Sequence, residues 1–191
     1  MRRIHDTIAK LASDNAGERR LAASRLYIEG CRLADSATRA LCEDAEFAPL
    51  LRGKSTVGIA VRPETFEKIR NANGEPHLAD VPPDLDAKEF ELRLGEASLD
   101  ILTTRESKGG GAIAKFLEKI GEGIQQVEYF VRDVDLAAHI LRKRFGVEMI
   151  YPRTRDGADG TRVNFFLAAT PVGKKVLIEL VETLPSSKSR A

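Results

Sequence analysis

Two carboxylates stand where carboxylates are costly. Asp100 interrupts the apolar run Leu99-Asp100-Ile101-Leu102, and Glu179 interrupts Ile178-Glu179-Leu180-Val181. Side chains alternate across a strand, so each acid projects from the face opposite its apolar neighbours. The same rule sets Gln126, Glu128 and Phe130 against Val127, Tyr129 and Val131, and Thr56, Gly58 and Ala60 against Val57, Ile59 and Val61. Thr56, Asp100, Gln126 and Glu179 are therefore expected to converge on one cleft. Crowding of Asp100, Glu128 and Glu179 should raise the pKa of at least one of them, leaving a proton donor beside a base. The same crowd also suits a polar or cationic ligand.

Convergence requires a repeat. Val57-Gly58-Ile59-Ala60-Val61-Arg62 resembles Val127-Glu128-Tyr129-Phe130-Val131-Arg132, and each run precedes a helical segment. Each copy then closes on its acid-bearing apolar strand. The reading is α+β: two βαβββ modules, 55–104 and 123–183, forming a curved eight-stranded sheet around a cleft. Strands are expected near 55–61, 77–81, 87–94 and 97–103, then near 124–131, 147–152, 162–168 and 175–182. Alternation places Glu89, Glu91 and Arg93 opposite Phe90, Leu92 and Leu94. It places Arg162, Asn164 and Phe166 opposite Val163, Phe165 and Leu167. Glu91, Arg93, Glu128 and Asn164 are accordingly expected to wall a substrate cleft.

Residues 1–52 read as a helical extension to a domain over 53–184, with a flexible tail at 185–191. Ile4, Ile8 and Leu11 recur at helical spacing, and Ser13-Asp14-Asn15 with Gly17 breaks that helix. A second helix carries Leu21, Leu26 and Leu33. Asp35-Ser36 offers the cap of a third, with Leu41 and Cys42 inward. The extension is expected to pack on the main domain; a dimerisation arm, hence a homodimer, or a lid over the cleft are the alternatives.

With 42% hydrophobic residues the chain can build a core. Its 30 Lys and Arg balance 29 Asp and Glu, which gives no drive toward nucleic acid or membrane. No apolar window is long enough to span a bilayer, no secretory segment is apparent, and a cytoplasmic location is expected. Cys31 and Cys42 read as buried thiols packing as small hydrophobes. His5, His77 and His139 fall at positions expected to be surface or packing.

Over roughly 55–182 the sequence resembles methylmalonyl-CoA epimerase, of the vicinal-oxygen-chelate (glyoxalase-like) superfamily. Residues 109–126 and 157–182 carry the resemblance, including Gly160-Thr161-Arg162-Val163-Asn164-Phe165. In that family a divalent cation is held by His on the first strand, Glu or Gln on the fourth, His on the fifth and Glu on the eighth. The matching positions are Thr56, Asp100, Gln126 and Glu179. The resemblance further implies Glu89 as a carboxylate base, acting with Asp100 and Glu179 on a carbon whose thioester the metal polarises. Here a hydroxyl and an amide replace two imidazoles. Such a set holds a hard ion weakly, so no tightly bound transition metal and no other cofactor is expected. The implied function is an epimerase-like protein binding an acyl-CoA or small acid. A non-catalytic small-molecule binder, or an interaction module acting through the helical extension, are the alternatives.

Overall fold

The computed structural model describes residues 2–106, 110–170, 173 and 175–183; the expected tail at 185–191 lies outside the described residues. Helix α1 (Arg2–Ala9) runs into a short 3₁₀ turn and stops at the expected breaker. Asn15 then caps α2 (Ala16–Cys42), its side-chain oxygen accepting from the backbone N–H groups of Gly17 at 2.8 Å and Glu18 at 3.2 Å. Helix α2 is unbroken for 27 residues, about 40 Å. The expected new helix at Asp35-Ser36 does not exist. Ser36 turns its hydroxyl back onto the Leu33 carbonyl at 2.8 Å instead of capping, and the flanking alanines carry the helix through. Leu21 on this helix is 53% exposed. The buried stripe consists mainly of small residues: Ala22, Ala23, Leu26, Gly30, Ala34, Thr38 and Leu41.

The remainder is β1 (Leu51–Ala60), α3 (Pro63–Ala72), β2 (Ala87–Leu94), β3 (Ala97–Thr104), α4 (Ala112–Lys119), β4 (Gly123–Val131), α5 (Val134–Phe145), β5 (Arg155–Asp156), β6 (Arg162–Ala169) and β7 (Lys175–Glu182). Strand β1 begins at Leu51, ahead of the expected start at 55. The strands form one sheet of seven, ordered β2-β3-β1-β4-β7-β6-β5. Eight were expected. Residues 77–81 make a single backbone bond to a strand, Ala79 N–H to the β2 carbonyl of Glu89, and form no strand of their own. Pro76, Pro82 and Pro83 flank this segment and cannot donate to a ladder. Residues 147–152 touch the sheet through a Met149–Phe166 bridge and an Ile150–Phe165 backbone bond; pairing resumes only at β5, beyond Pro152.

The repeat is laid out symmetrically. Strand β3 lies parallel to β1, and β7 parallel to β4. The two halves meet where β1 and β4 pair antiparallel, with Val57 opposite Val127. Thr56 then faces Glu128, and Gly58 faces Gln126. One face of this sheet carries Val57, Ile59, Leu99, Ile101, Val127, Ile178 and Leu180, all essentially fully buried. Helix α2 packs on this apolar back. Thr38 shares a 2.9 Å hydrogen bond with the Tyr129 hydroxyl, and Gly30 sits against Val57. The extension is thus a layer behind the sheet, on the side away from the acids, and not a lid over them.

Gly30 brings the helix backbone close to the sheet. A methyl there would stand 2.4 Å from Val57 Cγ1 and 2.7 Å from Cγ2. Valine is stiff at χ1 and cannot swing away. Gly30→Ala should therefore destabilise by about 1–3 kcal/mol despite alanine's better helix propensity. Val57→Ala in the same chain should recover part of that loss. A double-mutant cycle in urea checks this; additive losses would place α2 elsewhere.

Candidate functional site

The face opposite α2 encloses a cavity of about 790 Å³. Thr56, Asp100, Gln126 and Glu179 all line it, as do Glu89, Glu91, Arg93 and Glu128. Asn164 does not. It is buried on the other face, beside Leu180 in register, and its amide donates to the Tyr151 carbonyl at 3.2 Å. The residues of β6 that reach the cavity are Val163 and Phe165, with Phe165 directly across from Glu179. Phe166, expected on the cleft side, is 1% exposed in the core behind. This wall of the cleft is apolar, so polarity pointed the wrong way.

Two hydrogen-bonded groups flank the cavity, one from each half. In the first half, the Thr56 and Ser98 hydroxyls lie 3.2 Å apart, Ser98 donates to Glu91 at 3.1 Å, and Arg93 donates to Glu91 at 2.6 Å. In the second half, the Gln126 amide N–H group donates to Glu179 at 2.5 Å and reaches Glu128 at 3.4 Å. Gly58 makes the second group possible. A methyl at that position would stand 2.5 Å from Gln126 Cγ.

The β1–β4 ladder slips just beyond this point. Gly58 pairs with Gln126, but Ile59 pairs with Ile124. Gln125 is the extra residue of a β-bulge, so Gln125 and Gln126 both line the cavity. The Gln125 side-chain carbonyl is buried and has no hydrogen-bond partner. Sequence reasoning missed it because a bulge leaves the apolar pattern intact; Ser98, two residues before Asp100 on β3, was open to the same alternation that marks Asp100. Two adjacent glutamines ahead of an apolar strand were the available signal.

The cavity mouth is tied across the two halves. Asp80 N–H donates to the Asp159 carboxylate at 2.8 Å, and Asp159 N–H donates to the Asp80 carbonyl at 3.0 Å. Arg155 pairs with Asp84 and lies 4.6 Å over the Tyr151 ring. Asp159 holds this position with φ of +51°, a conformation aspartate tolerates better than most residues. His77 is exposed on the cavity wall; His139 is exposed on α5, and His5 lies 3.8 Å from Glu122.

Burial is the leading influence on the acids, with repulsion second. Burial, then the charge of Asp159, pushes Glu89 up to about 7. Burial, then Glu89, raises Glu128 to about 8 against the opposing hydrogen bond from Gln126. Asp100 and Glu179 are driven well above the usual carboxylate range, first by burial and then by their acidic neighbours. A cleft holding both ionised and protonated carboxyls near neutral pH can take up and deliver protons. Among the described residues, no group of three His, Cys, Asp or Glu is arranged to hold a metal ion. None of the described helices is long and apolar enough to cross a membrane.

These acids make stability depend on pH. Their folded pKa values lie above those of the unfolded chain, so their contribution is complete below about 4.5 and is lost as pH rises through about 7 to 8. The protein should melt several degrees lower at the top of that window than at the bottom. Glu128→Gln should flatten the slope and raise the melting temperature at the alkaline end. Thermal melts across the window check both; a slope of opposite sign would contradict the burial.

The sequence matches no protein-family model and no curated protein at a significant level. Solved structures do match. Methylmalonyl-CoA epimerase from Mycobacterium tuberculosis is 32% identical with a TM-score of 0.57, over 71% of this chain and 91% of that one. A variant of the Streptomyces coelicolor methylmalonyl-CoA epimerase, in complex with 2-nitronate-propionyl-CoA, is 28% identical with a TM-score of 0.56, over 71% and 99%. A methylmalonyl-CoA epimerase in complex with methylmalonyl-CoA and an ammonium ion is 28% identical with a TM-score of 0.54, over 70% and 95%.

Proposed function

The chain belongs to the methylmalonyl-CoA epimerase family, and we propose that its cleft binds an acyl-CoA thioester and exchanges the proton on the carbon beside the thioester carbonyl. The observation that carries this reading is the set of buried carboxyls around one cavity, with affinities for protons spread across neutral pH. An α-proton transfer needs a base, an acid and a group that stabilises charge on the carbonyl oxygen. Glu89 is the base, because its pKa of about 7 leaves it ionised in part at neutral pH and still strong enough to take a proton. Glu179 faces the cavity from the other half and returns a proton to the carbon. Asp100, whose pKa is driven well above the usual carboxylate range by burial and then by its acidic neighbours, donates a hydrogen bond in its protonated form to the thioester oxygen as enolate charge develops. Val163 and Phe165 give the acyl chain an apolar wall.

The divalent cation of the family does not fit this donor set. Gln126 directs amide N–H groups at Glu179 and Glu128, so a donor stands where a ligand atom would be needed. The Thr56 hydroxyl is engaged with Ser98. Among the described residues, the imidazole that lines the cavity is His77, exposed on the loop ahead of β2. The charge-stabilising role therefore falls to a protonated carboxyl of the cleft.

Proton NMR of propionyl-CoA in heavy water tests the reading. The signal of the protons beside the carbonyl should fade in the presence of the protein, faster as pH rises through about 7 because Glu89 must be ionised. Glu89→Gln should slow the exchange by about 100-fold or more. A chelator should leave the rate unchanged. Absence of exchange by the unmodified protein would overturn the proposal.

A further inference from the structure

A second cavity, of about 420 Å³, lies between α5 and residues 152–154. Asn164 lines it from the back face of the sheet, opposite the acids, so this cavity is separate from the cleft. Helix α5 contributes Asp135, Ala138, His139 and Arg142, the i, i+3, i+4 and i+7 positions of one helix face. Arg153 and Thr154 enclose it from the loop, and Arg162 from β6.

Its charge is one-sided. Three arginines stand against one aspartate, an excess of two positive charges with His139 left aside. The aspartate is already engaged. Thr154 donates to Asp135, and Arg162 donates to it at 2.5 Å while also reaching Glu182 at 3.1 Å. Those bonds, the Thr154 hydroxyl first and Arg162 second, hold Asp135 below its usual value, so it stays ionised and paired at neutral pH.

The other two arginines are differently placed. Among the described residues neither Arg142 nor Arg153 forms an ion pair with a carboxylate. Arg142 donates from one nitrogen, Nη2, to the neutral carbonyls of Tyr151 at 3.3 Å and Pro152 at 3.1 Å. A guanidinium presents a fork of several N–H donors, so donors remain on both residues. The backbone that carries Arg153 is preset. The Tyr151 carbonyl also accepts from the buried Asn164 amide at 3.2 Å, and Thr154 is tied to Asp135 just beyond. Presetting of this kind lowers the ordering cost when a ligand binds.

We propose that this back pocket binds a small phosphomonoester, held by Arg142 and Arg153 and distinct from the ligand of the cleft. Near neutral pH a phosphomonoester carries about two negative charges on strong acceptor oxygens, which match the excess charge and the remaining donors. A sulfate ester brings about half that charge to the same donors. The cavity volume lies within the range of small-molecule sites and leaves room for an organic body, with Ala138 and Pro152 as apolar surface for it.

Calorimetry of the full chain with phenyl phosphate and phenyl sulfate at about pH 8 tests this, because the two share a body and differ by about one charge. Phenyl phosphate should bind at one site, about tenfold or more tighter than phenyl sulfate. Arg153→Gln, at an exposed position, should weaken phenyl phosphate about tenfold by removing a charge-assisted contact. Arg142→Lys keeps the charge, loses the fork, and should weaken it several-fold. Arg39→Gln removes an exposed charge from α2 and should change nothing. Saturation with CoA should also leave phenyl phosphate affinity unchanged. In nitrogen-15 NMR of the unmodified chain, phenyl phosphate should shift the amides of Arg142 and Arg153 and spare those of Glu89 and Asp100. Absence of binding, equal affinity for the two esters, an equal loss in Arg39→Gln, or shifts at Glu89 and Asp100 instead would overturn the site. Displacement by CoA would show that the phosphate held there is CoA's own and would overturn the claim of a second ligand.

Discussion

The antiparallel pairing of β1 with β4, centred on Val57 opposite Val127, is the constraint on which the rest of the site depends. It joins the two repeats back to back. It sets the register that brings Thr56 beside Glu128 and Gly58 beside Gln126. The outer strands inherit that register, so Asp100 lies beside Gly58 and Glu179 beside Glu128. A slip of one residue would reverse every side chain, sending the acids into the apolar back and Val57 into the cleft. Helix α2 guards against that slip. Its small-residue stripe fits a β-branched, apolar surface, and the Thr38–Tyr129 bond ties it to β4.

The same geometry explains the unusual acids. Carboxyls at the centre of a curled sheet are drained of water by the strands beneath and by the loops tied together above. Burial raises their pKa values, and the neighbours compound the effect because the repeat delivers acids from both halves. Gln126 places an amide donor among them in the second half. A neutral amide bridges Glu179 and Glu128, and protons held by the raised acids limit the charge of the cleft.

Much of this was legible from alternation. Asp100 and Glu179 each break an apolar strand, and Gln126 and Glu128 alternate with valines and Tyr129, so their face followed directly from the sequence. Asn164 was misplaced by the same rule. The cleft wall on β6 is Val163 and Phe165, apolar on both faces in effect, and polarity there marks the anchoring of a loop instead. Gln125 was illegible because a bulge adds a residue without altering composition. The Asp80–Asp159 tie joins residues from different halves, which no local pattern encodes. The short apolar stretches at 77–81 and 147–152 do not become strands because the prolines beside them cannot donate to a ladder. The unbroken α2 shows the converse: Asp35-Ser36 has the chemistry of a cap, yet packing of Ala34, Thr38 and Leu41 on the sheet holds the helix straight through it.

The central claim is that carboxyls in this cleft share protons near neutral pH. Carbon-13 NMR of protein labelled at the Asp and Glu side-chain carboxyls measures this directly. At least two carboxyl resonances should titrate near 7 and 8, assignable to Glu89 and Glu128 through Glu89→Gln and Glu128→Gln. Titration of every carboxyl below about 5, as in exposed side chains, would show that the cleft is wet and its acids are ordinary surface charges, contradicting the account.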